Sequence, residues 1–165
     1  MKWGEMGNIR FRGFYTHILD NRKRLAIPSQ FRNVLNHESE GRVILTPGYD
    51  HEIAVYPLKI WEEIESKELL TLSMDYLKSR RYRRHFTFGI KEDRLDAQGR
   101  ILIPDFLLIH AQITKDVIIV GEINYMELWS PENYEIFSKE VEKFYLDDAE
   151  GIEDLRRRKD ENTSS

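Results

Sequence analysis

Two apolar runs dominate the pattern of hydrophobic and polar positions. VILT from Val43 and VIIV from Val117 are near-continuous, as strands buried on both faces are. Upstream of each lies a shorter β-rich run closed by proline, LAIP at 25–28 and ILIP at 101–104. Proline suits a strand end and leads into a helix, so helices are predicted over 29–35 and 105–111. Turn residues follow the buried runs: Pro47, Gly48 and Asp50 after the first, Gly121, Glu122 and Asn124 after the second. Next come the strand-like IAVYP from Ile53 and MELWS from Met126. Each leads to a helix-like stretch, LKIWEEIESKEL and PENYEIFSKEVEKF. Residues 74–84 are polar and basic, and a helix with Leu and Tyr on one side is predicted there.

These pairs are an internal repeat. DNRKRLAIP at 20–28 and DAQGRILIP at 96–104 match Asp with Asp, Arg24 with Arg100, Ile27 with Ile103 and Pro28 with Pro104, all at one offset of 76. The later pairs slip by two or three residues, as unequal loops produce. Each copy reads strand, turn, strand, short helix, strand, hairpin, strand, helix. A unit of this size buries only a small core, so the copies share one core or pack face to face about a pseudo-twofold axis. The predicted class is α+β, mainly β. A first unit is expected over 9–72, a basic linker or helix over 73–85, a second unit over 86–146 and a charged tail over 147–165, for which disorder and a short helix are both open. Aromatics such as Phe14, Tyr15, Tyr56, Trp61, Phe86, Phe88, Trp129 and Tyr134 recur at matched places and read as packing residues.

Composition adds limits. The 165 residues are 41% hydrophobic, enough for a folded core. Absence of Cys excludes disulfides, thiol nucleophiles, iron–sulfur clusters and the common zinc sites. No apolar run approaches a membrane span, and residues 1–12 are too polar for a secretory signal. A net charge of -4 argues against a nucleic-acid partner until the charges are placed. Residues 10–34 hold six basic side chains against Asp20 alone, a net of +5. Residues 78–100 hold eight against three acids, again +5, which leaves -14 on the remainder. Screening cuts interactions off at about 8–10 Å in physiological salt, so these local fields outweigh the total.

The repeated Asp-x-x-x-Arg turn is the candidate chemistry. Asp20 and Asp96 would fix the turns by accepting backbone N–H bonds, with Arg24 and Arg100 projecting from them. The planar guanidinium suits phosphate and guanine O6/N7 alike. Arg22, Lys23, Arg10, Arg12 and Arg94 would supply contacts to the DNA backbone. The alternative reading makes each Asp and Arg an internal ion pair that holds a hairpin.

FRGFYTHILD, followed by an Asp-x-x-x-Arg turn, a strand ending in Pro, VILTPG and YPLKIW, resembles the opening half of MraZ proteins. The second Asp-x-x-x-Arg with ILIP, HAQITKDVIIVG and MELW resembles their second half. The resemblance spans about residues 9–144. It implies a bacterial transcriptional regulator of the division and cell-wall gene cluster, built from two tandem SpoVT-AbrB units of swapped-hairpin type, assembling into rings on repeated promoter boxes. One departure stands out. The family usually has Lys-Gly-Arg at the first turn, whereas here Lys23 occupies the place that Gly99 keeps in the second. The first turn is therefore either shaped differently or strained.

No Walker loop, G-x-S-x-G elbow or H-E-x-x-H pair occurs, and the five His residues lack metal-ligand spacing. An enzyme, a cofactor, a metal, a membrane and a small-molecule substrate are not expected. The expectation is a cytoplasmic, nucleoid-associated repressor that binds double-stranded promoter DNA as a homo-oligomer. The alternative is a ring-forming scaffold for acidic protein partners.

Overall fold

The computed structural model describes residues 10–163. Ile9, where the first unit is expected to begin, and the last two residues of the tail lie outside the described residues. The first copy runs β1 (Phe14–Ile18), β2 (Arg24–Ala26), α1 (Ser29–Ser39), β3 (Arg42–Pro47), β4 (Ile53–Pro57) and α2 (Leu58–Ile64), with a π-helical turn over Glu65–Leu69. The basic helix α3 (Leu77–Thr87) leads to the second copy: β5 (Lys91–Arg94), β6 (Arg100–Leu102), α4 (Asp105–Ala111), β7 (Asp116–Glu122), β8 (Tyr125–Trp129) and α5 (Pro131–Thr163). The protein is α+β with mainly antiparallel sheet.

The copies exchange strands. One sheet has the order β1-β7-β8-β4-β3-β5, and β2 pairs with β6 in a separate two-stranded ribbon. Among the described residues only the hairpins β3·β4 and β7·β8 stay within a copy. The pairings β1·β7, β5·β3, β4·β8 and β2·β6 all join one copy to the other. Swapping the copies, β1 for β5 and so on to β4 for β8, returns the same set of pairings. That invariance is the pseudo-twofold. The two repeats therefore do not form two separate bodies, and residues 10–133 are one compact unit.

Burial explains the exchange. Val43, Leu45 and Val55 of the first copy and Val117, Ile119 and Leu128 of the second are at most 1% exposed within one cluster. Each side chain so buried contributes about 1.5–3 kcal/mol, and neither half could enclose these residues alone. Trp61 and Trp129 are also buried, whereas Phe88 is 91% exposed and Phe14 about half exposed, so the aromatics do not all serve the core.

Three local readings change. Helix α1 runs four residues past Leu35 through polar Asn36–Ser39 and closes at Glu40 in the left-handed region, whose N–H bonds to Leu35 O. The apolar pattern stopped before the helix did. Pro47, Gly121 and Glu122 are strand residues rather than turn residues: Pro47 pairs with Ile53, and the second hairpin closes tightly through Ile123 and Asn124. Ile123 has φ 67°, and Asn124 N–H donates to Glu122 O at 2.8 Å, a strained γ-turn. Residues 131–163 are helical, so the charged tail continues a helix as far as Thr163. The helical segment over 134–163, a compact unit distinct from the strand-exchanged repeats, carries ion pairs one turn apart, Lys139 with Glu135 at 2.7 Å and Arg157 with Glu153 at 3.6 Å.

Candidate nucleic-acid interface

The β2·β6 ribbon brings the two turns together. Arg24 pairs with Leu102, Leu25 with Ile101 and Ala26 with Arg100. Alternation along a strand sends Leu25 and Ile101 to one face, where they are 0% and 1% exposed. The opposite face carries Arg24, Ala26, Arg100 and Leu102, all at least partly open to solvent. Both repeated arginines thus lie on one face of one short ribbon. Ile27 N–H to Gly99 O and Ile103 N–H to Lys23 O, each 2.9 Å, carry the cross-copy bonding up to the turns themselves.

Each turn is built alike. Asp20 Oδ1 accepts the N–H groups of Arg22 and Arg24 at 2.8 and 2.9 Å, and Lys23 N–H closes on Asp20 O at 3.0 Å. Asp96 Oδ1 accepts those of Gln98 and Arg100, both at 2.9 Å, and Gly99 N–H closes on Asp96 O at 2.9 Å. The acids also reach across the pseudo-twofold. Arg100 donates through Nε to Asp96 at 2.9 Å and through Nη1 to Asp20 at 3.4 Å, while Arg24 Nη1 stands 3.6 Å from Asp96. The result is a four-residue cluster in which two carboxylates steady two guanidinium groups, each about a third or less exposed. Among the described residues the Arg24 side chain makes no hydrogen bond, only the 3.6 Å ion pair with Asp96, so its donors are available to a ligand.

The carboxylates are held below their ordinary value. The backbone N–H of Arg24 is the main cause for Asp20, and that of Arg100 for Asp96, with the facing guanidinium adding to it. A lowered folded-state pKa stabilises the fold above the ordinary value of 3.8, and that stabilisation is lost as pH falls below it through the folded value. The urea midpoint is therefore expected to drop between pH 5 and pH 2. Asp20→Asn with Asp96→Asn should drop less over that interval, and an equal drop would deny the turns this role.

Lys23 resolves the departure at the first turn. Its φ is 61° against 73° for Gly99, so the two turns share one shape and Lys23 bears the strain. Left-handed backbone costs a residue with a Cβ about 1–2 kcal/mol, and glycine's greater freedom when unfolded returns about 0.5–1 kcal/mol of that. Lys23→Gly is expected to raise stability by roughly 0.5–1 kcal/mol, measured by chemical denaturation. Lys23 Nζ also pairs with Asp105 at the start of α4, an exposed contact of small worth.

The other candidates are placed differently. Arg10 and Arg12 lie beyond the far end of β1 from Asp20, and neighbouring Phe11 bridges to Ile123 at the β7·β8 tip. Five strand residues separate them from the turn, about 17 Å. Arg94 stands at the end of β5, where its Nε donates to Glu40 O at 3.0 Å. Asp20, Arg22, Lys23, Arg24, Asp96, Gly99 and Arg100 are brought together; Arg10 and Arg12 are not, and Arg94 is tied to the end of α1. One residue of this region was not among the candidates. Arg32 of α1 packs so closely under Gly99 that a Cβ there would lie 2.2 Å from Arg32 Cδ. Its signal was a break in the repeat, since the matching position in the second copy is Leu108.

Fold and turns together define a tandem-repeat α+β protein whose strand-exchanged copies set two Asp-x-x-x-Arg turns side by side. The family model "MraZ protein, putative antitoxin-like" matches residues 10–84 and 87–156. The chain belongs to the MraZ family. Its relatives include proteins named transcriptional regulator MraZ from Leuconostoc citreum, 35% identical over 88% of this chain and 98% of the relative, and from Thermoanaerobacter sp., 39% identical over 87% and 96%. A third, from Desulfitobacterium hafniense, is 38% identical over 88% of this chain and 98% of its own length. These relatives are named as regulators, not as enzymes.

Proposed function

We propose that this protein is a sequence-specific DNA-binding regulator of transcription that represses by occupying promoter DNA. The observation that carries the reading is the solvent face of the β2·β6 ribbon, with Arg24 and Arg100 on it and Arg22 and Lys23 at its end. A two-stranded ribbon fits the major groove, where an arginine fork can take guanine O6 and N7. Arg22 and Lys23 would bind phosphates and set the register. One such ribbon binds weakly, so a ring-like homo-oligomer on repeated boxes would gain by avidity where the spacing fits. The naming of the relatives supports regulation, and the family resemblance points to the division and cell-wall gene cluster as target.

The test is binding to the duplex upstream of the protein's own gene, against random duplex, across a salt series. Preference for that duplex is expected, with a log–log salt slope of about -0.9 for each phosphate neutralised. Equal affinity for both duplexes would remove sequence specificity. It would favour the second reading, a ring-forming scaffold for acidic proteins, which rests on α3. Arg81, Arg83 and Arg84 there make no ion pair among the described residues, and the helix has no acid of its own.

A further inference from the structure

We propose that a polar pocket beneath the second turn is a binding site for a phosphate-class oxyanion, with Arg32 as the residue that holds it. The pocket has a volume of about 320 Å³ and is lined by Arg32, Asn33 and Asn36 of α1 and by Leu95, Asp96 and Gly99 of the turn. Arg32 enters it as an unmatched cation. Among the described residues its guanidinium makes no ion pair, and its Nε, shut off from solvent against Gly99, has no hydrogen-bond partner. A buried donor left unpaired is costly, and a planar fork with free N–H groups suits a phosphate better than any neutral ligand. The neighbouring Asn33 and Asn36 side chains carry amide donors that can add to the same ligand.

Asp96 is the one acid in the lining, and its charge is already engaged. Oδ1 accepts two backbone N–H groups and Oδ2 accepts Arg100 Nε at 2.9 Å. Glycine at position 99 keeps the pocket tight against Arg32, since any side chain there would displace it.

The pseudo-twofold supplies an internal comparison. The positions that match Arg32, Asn33 and Asn36 are Leu108, Ile109 and Gln112, while Lys23 replaces Gly99. Leu108 is buried at 9% and Ile109 is 75% exposed. At the place of Arg32 the other copy carries an apolar side chain, so packing common to both copies does not require the arginine. A bound anion would touch α1 and the Gly99 turn at once and so stiffen the turn that carries Arg100.

A backbone phosphate of DNA and a free phosphorylated small molecule share this chemistry, and two arms of one experiment separate them. In the first, inorganic phosphate and pyrophosphate are titrated into the full chain at constant ionic strength, following the Arg32 Nε–H resonance and binding heat. Saturable binding that weakens about tenfold or more in Arg32→Met, as loss of a charged hydrogen bond implies, establishes a free-anion site. In the second arm, which rests on the DNA-binding reading, the salt slope of promoter binding is compared between wild type and Arg32→Met. A fall of about one in that slope with no phosphate binding assigns the pocket to a DNA phosphate. If wild type itself fails to bind DNA, the functional reading falls while the first arm still decides the pocket. Arg32→Gln serves as a second variant should the methionine form fail to fold. No phosphate binding together with an unchanged salt slope overturns the proposal.

Discussion

Arg24→Ala with Arg100→Ala is expected to weaken binding to promoter DNA by between about 30-fold and about 10⁴-fold. Each arginine–base contact discriminates by about 1–3 kcal/mol, and every 1.4 kcal/mol is tenfold. Oligomer size should not change, because the ribbon's buried side, Leu25 and Ile101, is untouched. Replacing both by lysine separates charge from shape. Lysine keeps the cation but loses the fork, so preference for the promoter should fall further than affinity for random duplex. The reading by fluorescence anisotropy is straightforward: a folded double-alanine variant that binds like wild type removes both arginines from the interface.

The second large effect concerns the fold. Residues 10–72 expressed alone are expected not to fold as a monomer. In the whole chain β1 pairs with β7, β2 with β6, β3 with β5 and β4 with β8, so the isolated half keeps only the β3·β4 hairpin. A lone hairpin is marginal in water. The pseudo-twofold gives the half one way out: two copies can use each other's strands as the second repeat does, β4 against β4 and β2 against β2. Far-ultraviolet circular dichroism should therefore show structure that rises with concentration, and ultracentrifugation should find dimers wherever there is structure. A folded monomer at micromolar concentration would contradict the strand exchange.

The repeat was readable from the sequence because each copy keeps the same order of apolar runs, prolines and turns, and those signals are local. Helix α4 coincides with its predicted range for the same reason. Strand exchange is not local. Nothing in FYTHI says that its partner is VIIV about a hundred residues later, and pairing at that separation is decided by which surfaces remain to be covered. The site divides in the same way. Asp20, Arg24, Asp96 and Arg100 are found by motif, whereas Lys23 against Gly99 leaves a reshaped turn and a strained one both open, and the φ of 61° at Lys23 decides for strain. Arg10 and Arg12 are close to the turn along the chain, a closeness that the extended β1 turns into distance in space. Arg32 belongs to no motif, and a cation on an amphipathic helix reads as solvated, whereas its stem packs under Gly99. The two basic windows do not gather on one face: Arg22, Lys23, Arg24 and Arg100 meet at the turns beside Asp20 and Asp96, while Arg10 and Arg12 lie at the other end of β1.

The central claim is that the solvent face of the β2·β6 ribbon is where this protein meets DNA. A structure of the full chain bound to the duplex upstream of its own gene tests it most directly. The account predicts Arg24 and Arg100 of each engaged subunit in the groove, with Arg22 and Lys23 against the flanking phosphates. Duplex seated on α3 or on the outer sheet, with both arginines still facing solvent, would contradict it.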